Sequence, residues 1–450
     1  MAERPPDRPS IDARDARDAR DARDARDARD AAHDDPGPPS GAAAGSDSAA
    51  ASGSDRVPAS GSAGAASGSA GAAATGSAGP VDYAALNGWD RDWEIFSDFD
   101  LPTYVGPTTF MNLPWVTDPA ELRARNVDVA IIGAPFDDAV SHRSGARFGP
   151  RAIREAQYTS GSVHSLQLGV EPFEILTVVD AGDANIVPAW TERAHALIHR
   201  KVREVAATGA IPFVLGGDHS ITWPSATAVA EVRRPGSIGI VHFDAHADTA
   251  NDDWGVLAGH GTPMRRLIES GAVAGRNFVQ VGLRGYWPPV ETFEWMKAHG
   301  LRYHFMTEVE ERGAEAVIDD AIAEALDGPD AIYLSLDIDV VDPGLAPGTG
   351  TPEPGGFITR ELLRAVRRIV GRVELAGMDI VEVSPPYDHA ETTAMIANRA
   401  ALEAISALAV KRRDGGRVRY DGPGTMAAPG EPPAAAGTDP AADHAAMPSE

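Results

Sequence analysis

The sequence predicts an α/β fold built on a parallel sheet that is covered by helices on both faces. Short apolar runs alternate with amphipathic stretches, and runs such as Ile238 to Phe243 are apolar on both strand faces. Several runs end in polar clusters, at the strand ends where ligands bind in such sheets. Strands are predicted at 128–133, 175–179, 211–215, 238–243, 278–282, 331–336 and 376–381, and helices at 192–207, 314–325, 359–370 and 392–410.

Composition divides the chain into three parts. Residues 1–83 are of low complexity, with Asp-Ala-Arg repeats followed by Gly-, Ala- and Ser-rich sequence, and they offer no large apolar face to bury. A disordered N-terminal extension is therefore predicted. A globular catalytic domain is predicted at 84–412, and a disordered Pro-, Ala- and Gly-rich tail at 413–450. Within the domain, Thr359 is predicted as a helix N-cap with Glu361 in the first turn.

The chain has 450 residues, no cysteine and a formal net charge of -26. Without cysteine there is no disulfide, thiolate ligand or cysteine nucleophile, which agrees with a cytoplasmic location. The carboxylate excess argues against nucleic acid and anionic membranes as partners and favours a cationic substrate. The first residues lack the apolar core of a signal peptide. No uninterrupted apolar run approaches the roughly 20 residues that span a bilayer.

The strongest motif is HFDAHADTA, which places Asp244, His246 and Asp248 directly after an apolar run. Residues at i, i+2 and i+4 of an extended chain point to one side, so two carboxylates and an imidazole converge. The alternative is a strand end with ordinary solvated aspartates. A charged cluster directly after a fully apolar strand disfavours that alternative.

Two further strand ends carry similar residues. SLDIDVVDP places Asp337 and Asp339 at i, i+2 spacing, and like charges on one side of a strand repel unless a cation separates them. LGGDHSITW projects His219 from a turn that two glycines permit. A single histidine is usually structural, but a third strand end with a metal-type donor favours a ligand. Asp342, before a proline, is interpreted as a turn residue.

Together these motifs supply four carboxylates and two imidazoles. Oxygen donors with some imidazole and no sulfur suit Mn²⁺ better than a structural zinc. Four carboxylates would neutralise two divalent ions, and such a pair lowers the pKa of a bridging water from 15.7 towards about 7. The residues therefore predict a binuclear site that generates hydroxide at neutral pH.

The sequences GGDHS, DAHAD and SLDIDVVDPGLAPGTGTPEPGG resemble the three signature blocks of the arginase/agmatinase (ureohydrolase) family. The resemblance covers nearly all of the globular segment, including FMNLP at 110–114 and RSGARFGPRAIREA at 143–156. It implies a three-layer α/β/α arginase fold with a parallel sheet of about eight strands. It also implies two Mn²⁺ ions per subunit, with Ni²⁺ as an alternative, and a trimeric or hexameric homo-oligomer.

Carried over from the family, one metal falls to His219, Asp244, Asp248 and Asp337, and the other to Asp244, His246, Asp337 and Asp339. In the family, hydroxide between the metals attacks the guanidinium carbon. Asp248 would hydrogen-bond that hydroxide and later pass a proton to the leaving amine.

Two more residues match the family by motif. His260 in GHGTPMRR aligns with an active-site histidine that shuttles protons or contacts substrate, and its alternative is a loop histidine packed beside glycine. Glu382 in DIVEVSPPYD aligns with the glutamate that pairs with the guanidinium, and its alternative is a solvated strand-end charge. Asp218 is interpreted as a residue that orients a ligand.

The substrate is less constrained by sequence. HGTPMRR and GTPEPGG are similar to agmatinase sequences, so hydrolysis of agmatine to putrescine and urea is the first hypothesis. Ala139 and the stretch Arg143-Ser144-Gly145 depart from the agmatinase pattern. Tyr286 and Trp287 either narrow the pocket or simply pack. A narrow pocket would suit guanidinobutyrate, guanidinopropionate or free guanidine.

Two other classes of protein compete with this interpretation. A zinc deacetylase on the same architecture uses one metal, which would leave His246 and Asp339 without a role. A non-catalytic binding protein would be favoured by the loss of a ligand, but all six ligand positions are filled.

Overall fold

A computed structural model of the chain describes residues 103–159 and 163–419. These residues belong to one structural unit, Asp90–Glu450. The predicted N-terminal extension, its Asp-Ala-Arg repeat and most of the predicted C-terminal tail lie outside the described residues. The last described stretch, 414–419, continues past the final helix, and its Val418 is buried.

The strands of the described residues are β1 Val129–Ala134, β2 Val178–Asp183, β3 Ile211–Gly216, β4 Ile238–Phe243, β5 Phe278–Leu283, β6 Arg302–Phe305, β7 Ala331–Asp337 and β8 Leu375–Val381. They form an eight-stranded, all-parallel sheet with strand order β2-β1-β3-β8-β7-β4-β5-β6. The predicted parallel sheet of about eight strands is thereby confirmed.

Helices connect the strands and cover both faces of the sheet, as parallel connections require. The helices are α1 Pro119–Ala124, α2 Gly149–Glu155, α3 Pro172–Ile175, α4 Thr191–Ala206, α5 Thr222–Arg233, α6 Pro263–Glu269, α7 Val290–Ala298, α8 Met306–Arg312, α9 Ala314–Ala325, α10 Thr359–Arg372 and α11 Thr392–Arg413. On one face lie α2, α3, α8, α9, α10 and α11, and on the other α1, α4, α5, α6 and α7.

Alternate strand residues enter opposite cores. In β1, Val129 and Ile131 join the core on the side of α10 and α11, whereas Ala130 and Ile132 join the core on the side of α4 and α5. Successive side chains of a strand point to opposite faces, so a strand covered on both sides must be apolar throughout. This is why the strands appear in the sequence as continuous apolar runs.

Three sequence expectations need correction. The run 175–179 is not one strand, because Ile175 ends the short helix α3 and β2 begins only at Val178. The edge strand β6 was not predicted, because it is short and polar and is only partly buried. Thr359 is the first residue of α10 rather than its N-cap, which is Ile358.

Among the described residues, the segment His389–Arg413, which is α11 with the 3-10 turn before it, is long and apolar enough by composition to cross a membrane. Its most apolar window is 72% buried within the protein, as in the core helix of a folded domain. It packs beside α10 in the apolar core on one face of the sheet.

Candidate metal centre and active site

Four adjacent strands in the middle of the sheet present polar residues at their carboxyl ends. In the order β3-β8-β7-β4, these strands lead into His219, Glu382, Asp337 and Asp244. The carboxyl ends of parallel strands lie at the same edge of a sheet, so segments far apart in sequence meet there. All six predicted metal ligands and all three predicted catalytic residues come together at this edge.

The turn after β3 is shaped by close backbone contact. A side chain at Gly217 would place its Cβ 2.1 Å from the carbonyl oxygen of Phe136. The next residue, Asp218, donates its N–H to that same oxygen at 2.8 Å. The glycine at 217 is therefore required for space, and the turn directs His219 towards the centre of the cluster.

Three carboxylates surround one nitrogen of His219. Its Nδ1 atom lies 3.0 Å from an oxygen of Asp244, 3.0 Å from Asp248 and 2.9 Å from Asp337. All four side chains are buried. These are the four residues expected at the first metal.

The other nitrogen of His219 fixes the tautomer of the ring. Nε2 lies 3.0 Å from Ser335 Oγ, and Ser335 donates its own hydrogen to Asp379 at 2.8 Å. The serine hydroxyl must then accept from His219, so Nε2 carries the ring hydrogen. Nδ1 of the neutral ring is left with a lone pair that faces three carboxylate oxygens.

This donor set fits a divalent cation. Nδ1 of His219 is buried and makes no hydrogen bond among the described residues. Four electron-pair donors that face one another repel unless a positive charge lies between them. Imidazole and carboxylate donors without sulfur are the set that Mn²⁺ and related ions accept.

A second group of donors shares Asp244 with the first. His246 Nδ1 lies 3.0 Å from Asp339 Oδ2 and 3.5 Å from Asp244 Oδ1. The donor atoms of these three residues lie within 4.8 Å of one another. The geometry thus offers two neighbouring cation positions joined by a carboxylate.

His242 also lies within reach of the first position, but its hydrogen bonds indicate a different role. The Gln280 amide donates to Ala247 O and to His242 Nδ1, the latter at 3.1 Å. His242 Nε2 therefore carries the ring hydrogen and donates it to Asp244 Oδ2 at 2.9 Å. His242 orients a ligand and has no lone pair for a metal.

The pKa values of the cluster reflect crowded, buried charge. Burial and the neighbouring carboxylates Asp339 and Asp244 raise the pKa of Asp337 well above its ordinary value. Burial and Asp244 likewise raise the pKa of Asp248 and of Asp339. Burial acts to raise the pKa of Asp244 too, but the neighbouring histidines His219, His242 and His246 hold it well below the ordinary value.

Backbone strain marks two of the predicted catalytic residues. Asp248 has φ 49° and Glu382 has φ 62°, a left-handed region that non-glycine residues rarely adopt. Such strain persists where the surroundings fix it and is frequent at functional sites. At Glu382 it follows directly after β8 and turns the carboxylate into the buried space beside His219.

The two oxygens of Glu382 differ in their contacts. Oε1 accepts the His219 backbone N–H at 2.9 Å and lies 3.0 Å from His260 Nδ1. Oε2 is buried and has no hydrogen-bond partner among the described residues. A buried carboxylate oxygen without a partner is costly unless a ligand supplies a donor.

His260 is held at both ring nitrogens. The Ser141 backbone N–H, which can only donate, contacts Nε2 at 3.0 Å, so Nδ1 carries the hydrogen towards Glu382. Burial acts to lower the pKa of His260, but nearby carboxylates, led by Glu382, raise it to about 9. The Ser141 N–H at Nε2 requires the neutral ring. Cations bound in the cluster would offset the field of those carboxylates and so lower the pKa of His260.

A cavity of about 340 Å³ opens onto the cluster. Trp287 lines it, with its ring 6.1 Å from that of His246, whereas Tyr286 is fully exposed and lies outside it. Asp253 and Trp254 lie on its wall. The described lining residues are Ser141, His246, Asp248, Asp253, Trp254, His260, Gly261, Trp287, Asp337 and Thr351.

Sequence reasoning missed several residues that support the site. His242, Ser335 and Asp379 lie inside buried strands and orient the ligands. A polar residue in an otherwise apolar strand was the available signal, because burial of such a group requires a partner. Arg284 was also missed, and its guanidinium donates to the carbonyls of Asp339 and Glu353 beside the cluster.

Asp342 behaves as predicted: it forms a turn, since its carboxylate accepts the N–H groups of Gly344 and Gly355, both at 2.8 Å. Asp218 lies behind the cluster, where it accepts from Ser220 and from the Ala139 N–H at 3.0 Å. These partners are not metal ligands, so the predicted role of Asp218 in orienting a ligand stays a prediction.

Comparison with known proteins finds a matching family model and several similar sequences. A model of the arginase family matches residues 127–406. The chain is 39% identical over 306 residues to proclavaminate amidinohydrolase of Streptomyces clavuligerus, covering 68% of this chain and 94% of the relative. It is 38% identical over 309 residues to guanidinobutyrase of Pseudomonas aeruginosa, covering 69% and 94%. To agmatinase of Chromobacterium violaceum it is 36% identical over 315 residues, covering 69% and 91%.

Solved structures show the same fold. Proclavaminate amidino hydrolase from Streptomyces clavuligerus superposes with a TM-score of 0.62 at 37% identity, covering 69% of this chain and 99% of that one. Trypanosoma cruzi formiminoglutamase with Mn²⁺ superposes with a TM-score of 0.58 at 28% identity, covering 63% and 94%.

Proposed function

This chain belongs to the arginase family, and we propose that it hydrolyses agmatine to putrescine and urea. Hydrolysis of a guanidino compound is the activity of the family, and the choice of agmatine is the proposal. Glu382 beside the cluster supports a guanidino substrate, and the acidic wall of the cavity at Asp253 carries the choice of agmatine.

Glu382 offers a site for a guanidinium group. Its Oε2 is buried and unpartnered within the described part of the chain, while its other oxygen is already occupied. A planar cation that donates two N–H groups pairs well with a carboxylate. A guanidinium held there would lie next to His260, which contacts Glu382 and lines the cavity together with Asp248 and His246.

The ligand set supports two Mn²⁺ ions per chain, with Ni²⁺ as the alternative. When bound, such a pair supplies Lewis acidity that lowers the pKa of the attacking water. The water oxygen becomes the carbonyl oxygen of urea, and the bond from the guanidinium carbon to the substituted nitrogen breaks. Asp248 accepts a water proton and returns it to the leaving amine, and His260 carries protons between cavity and solvent.

The charge of the cavity favours a substrate without a carboxylate tail. Asp253 lies on its wall, and the described residues that line it include no lysine or arginine. A substrate with an ammonium group at its far end would be attracted there, whereas a carboxylate would be repelled. Agmatine carries that second positive charge.

A shorter substrate is the second candidate, and the position of Trp287 favours it. The indole lies edge-to-face with His246 and reduces the width of the cavity directly above a ligand. Free guanidine would fit beneath it without a tail. Guanidinopropionate and guanidinobutyrate, of intermediate length, complete the set to be compared.

Urea release across these substrates and arginine, with Mn²⁺ and Ni²⁺ supplied separately, tests the proposal. We expect the highest kcat/KM with agmatine and Mn²⁺. Asp337→Asn should abolish urea release and lower the metal content, whereas Asp319→Asn, on the exposed surface of α9, should not. The assignment to agmatine fails if another substrate is preferred. The metal centre fails as the site if Asp337→Asn retains wild-type activity.

We further propose that the protein is cytoplasmic and forms a trimeric or hexameric homo-oligomer. The cysteine-free composition agrees with a cytoplasmic location. Other members of the family associate as trimers or hexamers, and light scattering on the purified protein would give the number of subunits. Cell fractionation with an antibody against the chain would give the compartment.

A further inference from the structure

We propose that His195 and Ser220 are positioning residues for the hydrolysis, acting through Asp218 on the segment that holds His260. The inference rests on the proposed function in one respect, that His260 takes part in the reaction. It does not depend on which guanidino compound is the substrate.

A chain of hydrogen bonds begins on α4, on the far side of Asp218 from the cavity. His195 Nε2 lies 2.9 Å from Ser220 Oγ, and that hydroxyl donates to Asp218 Oδ1. Because the single serine hydrogen is used towards Asp218, Nε2 of His195 must be the donor to Ser220. Oδ1 of Asp218 therefore accepts from the Ser220 hydroxyl, and His195 on α4 sets the orientation of that hydroxyl.

The second oxygen of Asp218 holds the segment that contacts His260. Oδ2 accepts the Ala139 N–H at 3.0 Å. The carbonyl of Ala139 accepts the His260 backbone N–H at 3.1 Å. Two residues along, the Ser141 N–H reaches His260 Nε2 at 3.0 Å. The segment therefore fixes both the backbone and the ring of His260, and Asp218 fixes the segment.

Burial of the His195 ring costs free energy that a purely packing role would not require. It is buried between the ring edges of Phe136 and Trp223, and its Nδ1 has no hydrogen-bond partner among the described residues. A phenylalanine side chain would fill that space without burying an unpaired nitrogen. Burial lowers the pKa of His195 to about 4, which keeps the ring neutral near pH 7.

Substitution of His195 separates positioning from packing. Phe in its place keeps the ring contacts and removes the donor, whereas Gln keeps a donor near the position of Nε2. In Mn²⁺-loaded protein we expect His195→Phe to lower kcat about tenfold, with KM and metal content unchanged, because small misplacements of a catalytic group are costly. His195→Gln should recover most of the rate. His199→Gln, a partly buried change on the same helix that lies outside the hydrogen-bonded path, is the matched control.

The Ser141 hydroxyl also contacts His260, with Oγ 2.6 Å from Nε2. A double-mutant cycle with Ser141→Ala, which removes that hydroxyl, tests whether the two ends of the hydrogen-bonded path act together. If His195 acts through the segment at Ser141, the two losses in kcat are less than additive. Additive losses, a His195→Phe variant with wild-type kcat, or a loss explained by reduced metal content would each overturn the proposal.

The proposal and the proposed function can fail separately. If wild-type protein releases no urea from any substrate, the function is wrong, and the positioning role is then judged from crystal structures alone. We expect the His260 ring of His195→Phe to rotate or the Ala139 N–H to leave Asp218. An unchanged segment in that variant would overturn the proposal.

Discussion

Nδ1 of His260 and Oε1 of Glu382 lie 3.0 Å apart, so one hydrogen joins two of the three predicted catalytic side chains. The same oxygen accepts the backbone N–H of His219, a candidate metal ligand. One carboxylate oxygen therefore connects the metal centre, the proton-carrying imidazole and the predicted guanidinium site. The other oxygen of Glu382 is left for substrate.

Glu382→Gln tests the guanidinium site. The amide removes the negative charge and replaces one acceptor oxygen with a donor, so we expect kcat/KM to fall at least about 100-fold, the loss of roughly 2.7 kcal/mol. Steady-state urea release measures it. Glu403→Gln, a part-buried change on α11, is the control. Equal kcat/KM in wild type and Glu382→Gln would exclude the assigned role.

Ser335→Ala tests the support of the first metal position. Without the hydroxyl, His219 loses the partner that holds its tautomer, and Asp379 loses a donor. We expect Mn²⁺ affinity to fall about 10- to 100-fold, the usual cost of removing such a partner. Titration calorimetry measures it, with the buried Ser406→Ala of α11 as the control. An unchanged affinity would show that the tautomer is held by other means.

Trp287→Ala tests the width of the cavity. Removal of the indole next to His246 should raise kcat/KM for long guanidino substrates relative to free guanidine, by about tenfold or more. The ratio between substrates is the quantity to measure, because it cancels effects on metal loading. Trp295→Ala on α7 is the control, and a ratio that does not change would remove Trp287 as a determinant of substrate length.

Removal of metal should destabilise the fold. Buried carboxylates and His219 face one another, and a cation at that position relieves their repulsion. At free Mn²⁺ one hundred times its dissociation constant, each site adds about 2.7 kcal/mol to the free energy of unfolding. Tm should rise by at least about 5 °C relative to chelated protein. A metal-independent Tm would contradict the predicted centre.

The buried His195 predicts a loss of stability in acid. Its pKa is about 4 in the folded chain against 6.5 for the free side chain. The unfolded state therefore binds the proton first, and stability falls as pH drops from 6.5 towards 4, by about 3 kcal/mol in total. Denaturant unfolding of metal-free wild type and His195→Gln measures the difference. Parallel pH dependences in the two proteins would contradict it.

Much of the site could be predicted from the sequence. Asp244, His246 and Asp248 follow one apolar run and Asp337 and Asp339 another, and parallel strands bring such ends to one edge. The polar residues directly after each apolar run are local features, so they can be predicted without knowing the strand order. The expectation that an extended chain points them to one side is wrong, because the ligands lie past the strands: β4 ends at Phe243, Asp248 has φ 49°, and Asp339 lies in the 3-10 turn Ile338–Val340. The turns after the strands, and not strand alternation, bring these side chains together.

Tertiary structure alone decided the rest. That Ser335 and Asp379 stand behind His219 depends on β7 and β8 being neighbours, and that Trp287 rather than Tyr286 faces the cavity depends on one loop conformation. The path of hydrogen bonds from His195 to His260 joins four separate segments of the polypeptide. Local sequence predicts where the buried strands lie and which polar residues follow them. Contacts between distant segments arise only when packing and hydrogen bonding select one arrangement of the whole chain.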